Sequence, residues 1–239
     1  MKRIHSIIGA IVAGIIISSL SACMFNCVHG SGKQASETRK VGNFNKLSIS
    51  GGFKVILKQD SSMTLNITAD DNLLKYIKTE ISGSRLKIYT KKNICNSGPM
   101  IINIGVRNLE EVKASGAVEV ESDGNVKTGD LRFKLSGATK VNMDLTAANV
   151  SASGSGATEV SLKGLASSLD VDLSGSGKVH ALDFAVDNCT ISSSGVGESE
   201  VNVAKTLAIH SSGASSVKYK GSPSITNDKS GASSVEKIN

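Results

Sequence analysis

A Ser-Gly pair returns along the second half of the chain at nearly constant spacing, and this constrains the fold more than any other feature. The glycines are Gly116, Gly137, Gly156, Gly175, Gly195, Gly213 and Gly231, at steps of 21, 19, 19, 20, 18 and 18 residues. Four positions after them stand Val120, Val141, Val160, Val179, Ser199, Val217 and Val235. Six positions before them lie Glu110, Leu131, Val150, Leu169, Cys189, Leu207 and Ile225; four before, Val112, Phe133, Ala152, Val171, Ile191, Ile209 and Asn227. The positions between these columns are mostly polar, as with Arg132, Lys134, Asp170 and Asp172. Alternation with a period of two is the pattern of a strand with one buried face.

Each unit therefore reads as strand, Ser-Gly corner, strand, connection, the glycine supplying a backbone conformation that a side chain resists. A unit this short cannot bury its apolar face alone, whereas stacked copies can. The expected fold class is all-β: a parallel β-helix-like solenoid with rungs of 18–21 residues. A charge column supports the register. Three positions after the glycines come Glu119, Lys140, Glu159, Lys178 and Glu198, alternating in sign. Stacked at about 4.8 Å, each charge would sit between opposite ones.

The N-terminal half is less regular. Ile49–Val55 repeats the corner logic, Met63–Ala69 reads as a strand, and Asp70 and Asp71 suit the cap of one short helix over Asn72–Ile77. The expected organisation is an irregular part, 41–108, followed by regular repeats, 109–239.

The chain begins as an export signal does. Lys2 and Arg3 precede an uncharged apolar run, Ile7–Leu20, too short to span a bilayer comfortably. It ends in Leu20-Ser21-Ala22-Cys23, which resembles the lipobox of bacterial lipoproteins. The implied mature chain starts at a lipidated Cys23, a membrane partner whose acyl chains insert at about 0.8 kcal/mol per buried methylene. Residues 23–40 read as a polar tether. Removing residues 1–22 takes away Lys2 and Arg3 and lowers the net charge from +6 to +4. A scattered excess of this size gives no support to nucleic-acid binding. Of the remaining cysteines, Cys27 and Cys95 can form one disulfide in an oxidising compartment, and Cys189 is left over.

Several segments together resemble one family: Gly51-Gly52-Phe53-Lys54-Val55, the stretch Ala69–Ile77 with its Asp-Asp-Asn-Leu-Leu core, Ile81-Ser82-Gly83 with Leu86-Lys87-Ile88, and the Ser-Gly-Ala units. They are similar to the putative auto-transporter adhesin, head GIN domain family, whose members are common exported proteins and lipoproteins of Bacteroidetes. The resemblance covers about Val41 to Asn239. It implies a right-handed β-helix-like fold and an adhesion role, and it carries no catalytic residues.

Direct signs of chemistry are sparse. Asp170 and Asp172 share an outward face with Arg132 and Lys134, the residue types a polysaccharide-cleaving site would use, yet rungs this short leave little length for loops to wall a cleft. His180 and His210 occupy different columns without a partner at metal-ligand spacing. Ser153-Gly154-Ser155-Gly156 falls at a corner of the repeat and not in a strand-to-helix elbow. The expectation is a non-enzymatic, lipid-anchored protein of the cell envelope, at the outer membrane and facing the periplasm or the surface. It needs no cofactor and no metal, and it binds a glycan or a protein. An envelope structural or assembly role is the alternative, with self-association through a C-terminal end where Asn227 and Lys229 replace apolar residues. With no Trp and three Tyr, sugar recognition would rest on hydrogen bonds.

Overall fold

The computed structural model describes residues 27–238. The export signal and Cys23 lie outside the described residues. Strands β1 (Cys27–Val28), β2 (Gln34–Lys40), β3 (Lys46–Gln59) and β4 (Thr64–Asp70) are followed by β5 (Ile77–Ser82), β6 (Arg85–Thr90), β7 (Asn93–Ile94) and β8 (Ile101–Val106). The repeats form β9 (Glu111–Lys127), β10 (Asp130–Thr146), β11 (Asn149–Gly221) and β12 (Ser224–Lys237). The protein is all-β, and its described residues contain no α-helix.

The Ser-Gly spacing becomes parallel register. Gly51 pairs with Gly116, Gly116 with Gly137, and Gly137 with Gly156, while Gly213 pairs with Gly231. Within the long run β11 the contact continues from Gly156 to Gly175, Gly195 and Gly213. The inner column Leu47, Val112, Phe133, Ala152, Val171, Ile191 and Ile209 is buried, as are Val55, Val120, Val141, Val160, Val179 and Val217 beyond the corner. Each fully buried aliphatic side chain contributes about 1.5–3 kcal/mol, so the two columns supply much of the cohesion between neighbouring segments. Asn227 breaks the inner column in β12, where it is exposed.

Thr139 and Thr158 stand two residues after their corner glycines, 3% exposed, and their hydroxyls have no hydrogen-bond partner among the described residues. Val118 fills the same position one segment earlier. A buried hydroxyl without a partner costs free energy. Thr139→Val and Thr158→Val are therefore each expected to stabilise the chain by about 1 kcal/mol, read from urea midpoints. Destabilisation in both would mean that the hydroxyls are satisfied after all.

The N-terminal side of the stack is closed by different means. The first half of β3 pairs with β6 and its second half with β8, both in parallel. Antiparallel partners then finish the edges: β5 on β6, β4 on β8, and β2 on β4. At the opposite end β12 is the last strand in the sheet's order among the described residues.

Two expectations for this half are corrected. The short helix over Asn72–Ile77 is a single 3₁₀ turn, Leu74–Tyr76, with Leu73 at its N-cap and no side-chain cap. Asp70 does not cap it because its carboxylate is engaged elsewhere, as described below. From Cys27 onward the supposed tether is instead built into the fold: Gln34–Lys40 lies along β4, and Cys27–Val28 pairs with β7. Arg39 fixes this segment by pairing with Glu37 at 2.9 Å and donating to the carbonyl oxygens of Ile77 and Leu74 at 2.8 and 3.1 Å.

Candidate functional site

The corner glycines carry geometry that other residues cannot. Gly116, Gly137, Gly156, Gly175, Gly195, Gly213 and Gly231 all have φ between +88° and +131°. A Cβ on Gly137 would lie 2.8 Å from the carbonyl oxygen of Gly116, and one on Gly156 would lie 2.6 Å from that of Gly137. Each corner thus rests its α-carbon on the backbone of the corner before it. Gly51, with φ +133°, starts this column one segment earlier than the regular repeats.

The outer face beyond the corner holds the alternating charges. Lys54, Glu119, Lys140 and Glu159 follow one another in register. Lys54 meets Glu119 at 3.8 Å and Glu121 at 2.9 Å, and Lys140 meets Glu159 at 3.1 Å. Glu198 pairs instead with Lys218 at 3.2 Å, and Glu200 accepts from His180 at 3.0 Å. Lys178 makes no ion pair within 4.0 Å among the described residues. The column is therefore a set of separate pairs, each worth about 0–1 kcal/mol at such exposure. The hydrogen bond from His180, against the cost of burial and with help from Lys218, holds the Glu200 carboxyl below its ordinary range.

The outer face before the corner differs. Glu111 is buried there between Arg85 at 2.6 Å and Lys134 at 3.0 Å. Burial pushes its carboxyl up, but the hydrogen bonds and charges of Arg85 and Lys134 outweigh it and hold the group below its ordinary 4.5. Folding thus favours the ionised form. The stabilisation is complete above the unfolded value and is lost as pH falls through the lowered folded value. Glu111→Gln is expected to cost about 1–2 kcal/mol at neutral pH and to match the natural chain in strong acid. An equal deficit at both pH values would contradict this.

Arg132, Ser151 and Asp170 line a cleft of about 550 Å³, together with Glu110, Asp130 and Asn149. Asn149 donates to Asp130 at 2.8 Å and accepts from Ser168 at 2.8 Å, a polar ladder from one segment to the next. Asp172 and Lys134 line a neighbouring groove of about 350 Å³. Arg132 and Lys134 form no ion pair with Asp170 or Asp172 within 4.0 Å among the described residues. His180 and His210 line separate grooves.

A further cluster sits where the described chain begins. Cys27 and Cys95 form a disulfide across 68 residues. His29 lies with the two sulfurs, the one grouping of metal-ligand type among the described residues. The sulfur–sulfur bond removes both thiolates, which leaves the imidazole as the single donor. Beside it, the fully buried Asp70 accepts from the Gln34 amide and from the backbone N–H groups of Gly98 at 3.2 Å and Gly32 at 3.4 Å. Asp71 accepts from the Ser31 hydroxyl at 2.6 Å, and Asn72 bridges the Ser31 N–H and the His29 carbonyl. The Asp-Asp-Asn stretch is the clasp for the entering strand. Cys189 is buried in the core, where desolvation and the Asp170 carboxylate push its thiol up to about 12, which removes it as a nucleophile.

The geometry defines an all-β protein of register-stacked parallel strands with polar outer faces, shallow grooves and a disulfide-clasped N-terminal side. Residues 43–223 match the family model described as "Putative auto-transporter adhesin, head GIN domain", and the chain belongs to that family. It is similar to the crystal structure of a putative adhesin from Bacteroides fragilis, with 25% identity and a TM-score of 0.82, covering 88% of this chain and 100% of that one. A putative adhesin from Parabacteroides distasonis shares the fold at 22% identity and a TM-score of 0.68, covering 88% and 99%. A protein of the same organism described as a putative lipid binding protein does so at 21% and 0.68, covering 89% and 99%. No curated protein matches the chain.

Proposed function

We propose that this chain is a non-enzymatic binding protein of the cell envelope, an adhesin held by a lipid on Cys23 and facing the periplasm or the cell surface. Its segments coil as a right-handed parallel β-helix. Parallel partners one repeat away support the coil, and the near-universal right hand of parallel crossover connections supports its sense. The observation that carries the function is that successive segments present polar side chains outward in register. They offer flat polar rows with grooves along them, suited to an extended glycan or protein ligand held by repeated weak contacts. The adhesin family and the B. fragilis relative point the same way.

The test is attachment. Cells that make the chain and cells that lack it are compared for adherence to immobilised glycans and matrix proteins. Adherence to one of these surfaces is expected to be lost with the protein, and equal adherence to all of them would count against the reading. Lipidation is tested separately by palmitate labelling, expected in the natural chain and absent in Cys23→Ser.

The place of β12 at the end of the sheet's strand order favours a second reading, an envelope assembly protein that self-associates through this end. Ile225 is exposed there, and an open strand edge is a template for pairing. Light scattering that shows a strict monomer at high concentration would count against it.

A further inference from the structure

The outer face before the corner is not patterned like the face beyond it. In register along β6, β3, β9 and β10 run two columns: Arg85, Lys46, Glu111 and Arg132, and beside them Lys87, Ser48, Lys113 and Lys134. The six cations Lys46, Arg85, Lys87, Lys113, Arg132 and Lys134 therefore share two columns that hold a single carboxylate, Glu111, while Glu110, Asp130 and Asp170 line the cleft beside Lys46 and Arg132. Lys113 and Lys134 are direct neighbours on adjacent strands, about 4.8 Å apart at the backbone. Like charges placed so destabilise a sheet. On the face beyond the corner, the same rows alternate in sign. Lys46, Lys87, Lys113 and Arg132 form no ion pair within 4.0 Å among the described residues. Glu80 of β5 stands opposite Lys87, and Tyr89 donates to it at 2.8 Å. One segment further on, the columns turn neutral at Ser151 and Ser153. The cations are thus gathered at the N-terminal end of the stack, with Asp170 and Asp172 beyond the serines.

The described residues begin at Cys27. Cys27 is fixed by its disulfide to Cys95, eight residues past Lys87 in the chain. Only four residue steps separate Cys27 from Cys23, a reach of about 14 Å at full extension. If Cys23 carries lipid, the fold has no long leash: the clasped end is held against the bilayer, and Lys87 of the strip is eight residues of chain from the clasp.

We propose that this basic strip docks on the membrane that anchors the chain, its lysines and arginines seated on the phosphate groups of anionic lipid headgroups. The docked orientation rests on the lipidation proposed above; the charge recognition does not. Juxtamembrane cations each strengthen binding to an anionic surface, and the effect weakens with salt. Bilayer phosphate thus supplies the opposite charge that the rows lack.

The experiment separates the strip from the lipid. Every described strand lies between Cys27 and Lys237, so the chain starting at residue 23 with Cys23→Ser keeps the whole fold and carries no acyl group. Its flotation is measured with vesicles of phosphatidylcholine alone and of phosphatidylcholine mixed with phosphatidylglycerol. Binding is expected only to the mixed vesicles and is expected to fall with salt. The variant Lys87→Ser, Lys113→Ser, Arg132→Ser removes three unpaired cations while leaving Arg85 and Lys134 on Glu111, and serine already occupies these columns at Ser151 and Ser153. It is expected to bind about 100-fold more weakly. A matched variant, Lys127→Ser, Lys163→Ser, Lys178→Ser, removes three exposed lysines off the strip and is expected to bind within a few-fold of the parent.

Inorganic phosphate, at matched ionic strength, is expected to displace little of the bound protein. Full displacement would mean a free-phosphate site and overturn membrane docking. Equal binding to both vesicle types, or equal losses in the two triple variants, would overturn the strip. Palmitate labelling of the natural chain reports independently on the anchor.

Discussion

Gly156→Val is expected to destabilise the chain by about 3–5 kcal/mol, read as a fall in the urea midpoint of far-ultraviolet circular dichroism. Two costs add at this position. The backbone sits at φ +95°, a region that a β-branched side chain strongly resists. The new Cβ would also lie 2.6 Å from the carbonyl oxygen of Gly137, and that oxygen belongs to a backbone held in register on both sides. Relief therefore requires the two segments to move apart, which loosens the Val141–Val160 contact behind the corner. In a stacked repeat each segment is stabilised by its neighbours, so the damage spreads in both directions. Gly129→Ala is the control. Nothing lies within 4 Å of the Cβ it would carry, and its φ is not in the left-handed region, so the change is expected to stay within about 0.5 kcal/mol. Equal effects at the two sites would mean that the corner column does not set the register.

Loss of the Cys27–Cys95 disulfide is expected to be nearly as costly. A crosslink spanning 68 residues removes unfolded-chain entropy worth about 4 kcal/mol in the loop-closure picture. The double variant Cys27→Ala, Cys95→Ala should lower the urea midpoint accordingly, and reducing agent should shift the natural chain but not the variant. Cys189 does not complicate the reading, because its thiol is buried and pushed up to about 12. The effect should be largest near β1, β2 and the 95–98 segment, where Asp70 joins Gln34 to the backbone of Gly98. Hydrogen exchange would show whether the loss is confined to this clasp. Identical midpoints with and without reducing agent would mean that the clasp is held by Asp70 and its neighbours alone.

The parts of the fold legible in the sequence are those in which one physical demand recurs at one spacing. The Ser-Gly corner and the valine four residues later repeat because every segment makes the same turn and fills the same interior row. The corner logic is legible at Ile49–Val55, but the partner of Gly51 is not. Gly116 lies 65 residues away, across β4 to β8, and no period survives such an insertion. β2 read as tether because its sequence, QASETRK, has no large apolar residue. It is an antiparallel edge strand with half of each residue pair exposed, and its hold comes from Arg39 and from pairing with β4. Asp70 looked like a helix cap because carboxylates that precede apolar residues often are. Its real partners are 28 to 38 residues away in sequence, a separation that local patterns do not report.

The charge rows teach a related lesson. Alternation along Glu119, Lys140, Glu159, Lys178 and Glu198 is visible in the sequence, but which of them pair depends on side-chain reach, and Glu198 turns to Lys218 instead. Glu111 gave no sequence signal at all. Its burial follows from lying between Arg85 on β6 and Lys134 on β10, two strands that meet its surroundings only in the folded chain. The basic strip escaped notice for the same reason, because Arg85 and Lys87 belong to the inserted segment and join Lys113, Arg132 and Lys134 only through the pairing of β3 with β6.

The measurement that bears most directly on the proposal of an anchored adhesin at the cell surface is protease shaving of intact cells, with lysed cells as the control and detection through an epitope in β12. Loss of the protein from intact cells is expected, with the protease reaching the domain from outside. Protection in intact cells with loss only after lysis would contradict the adhesin reading and leave the envelope-assembly reading in its place.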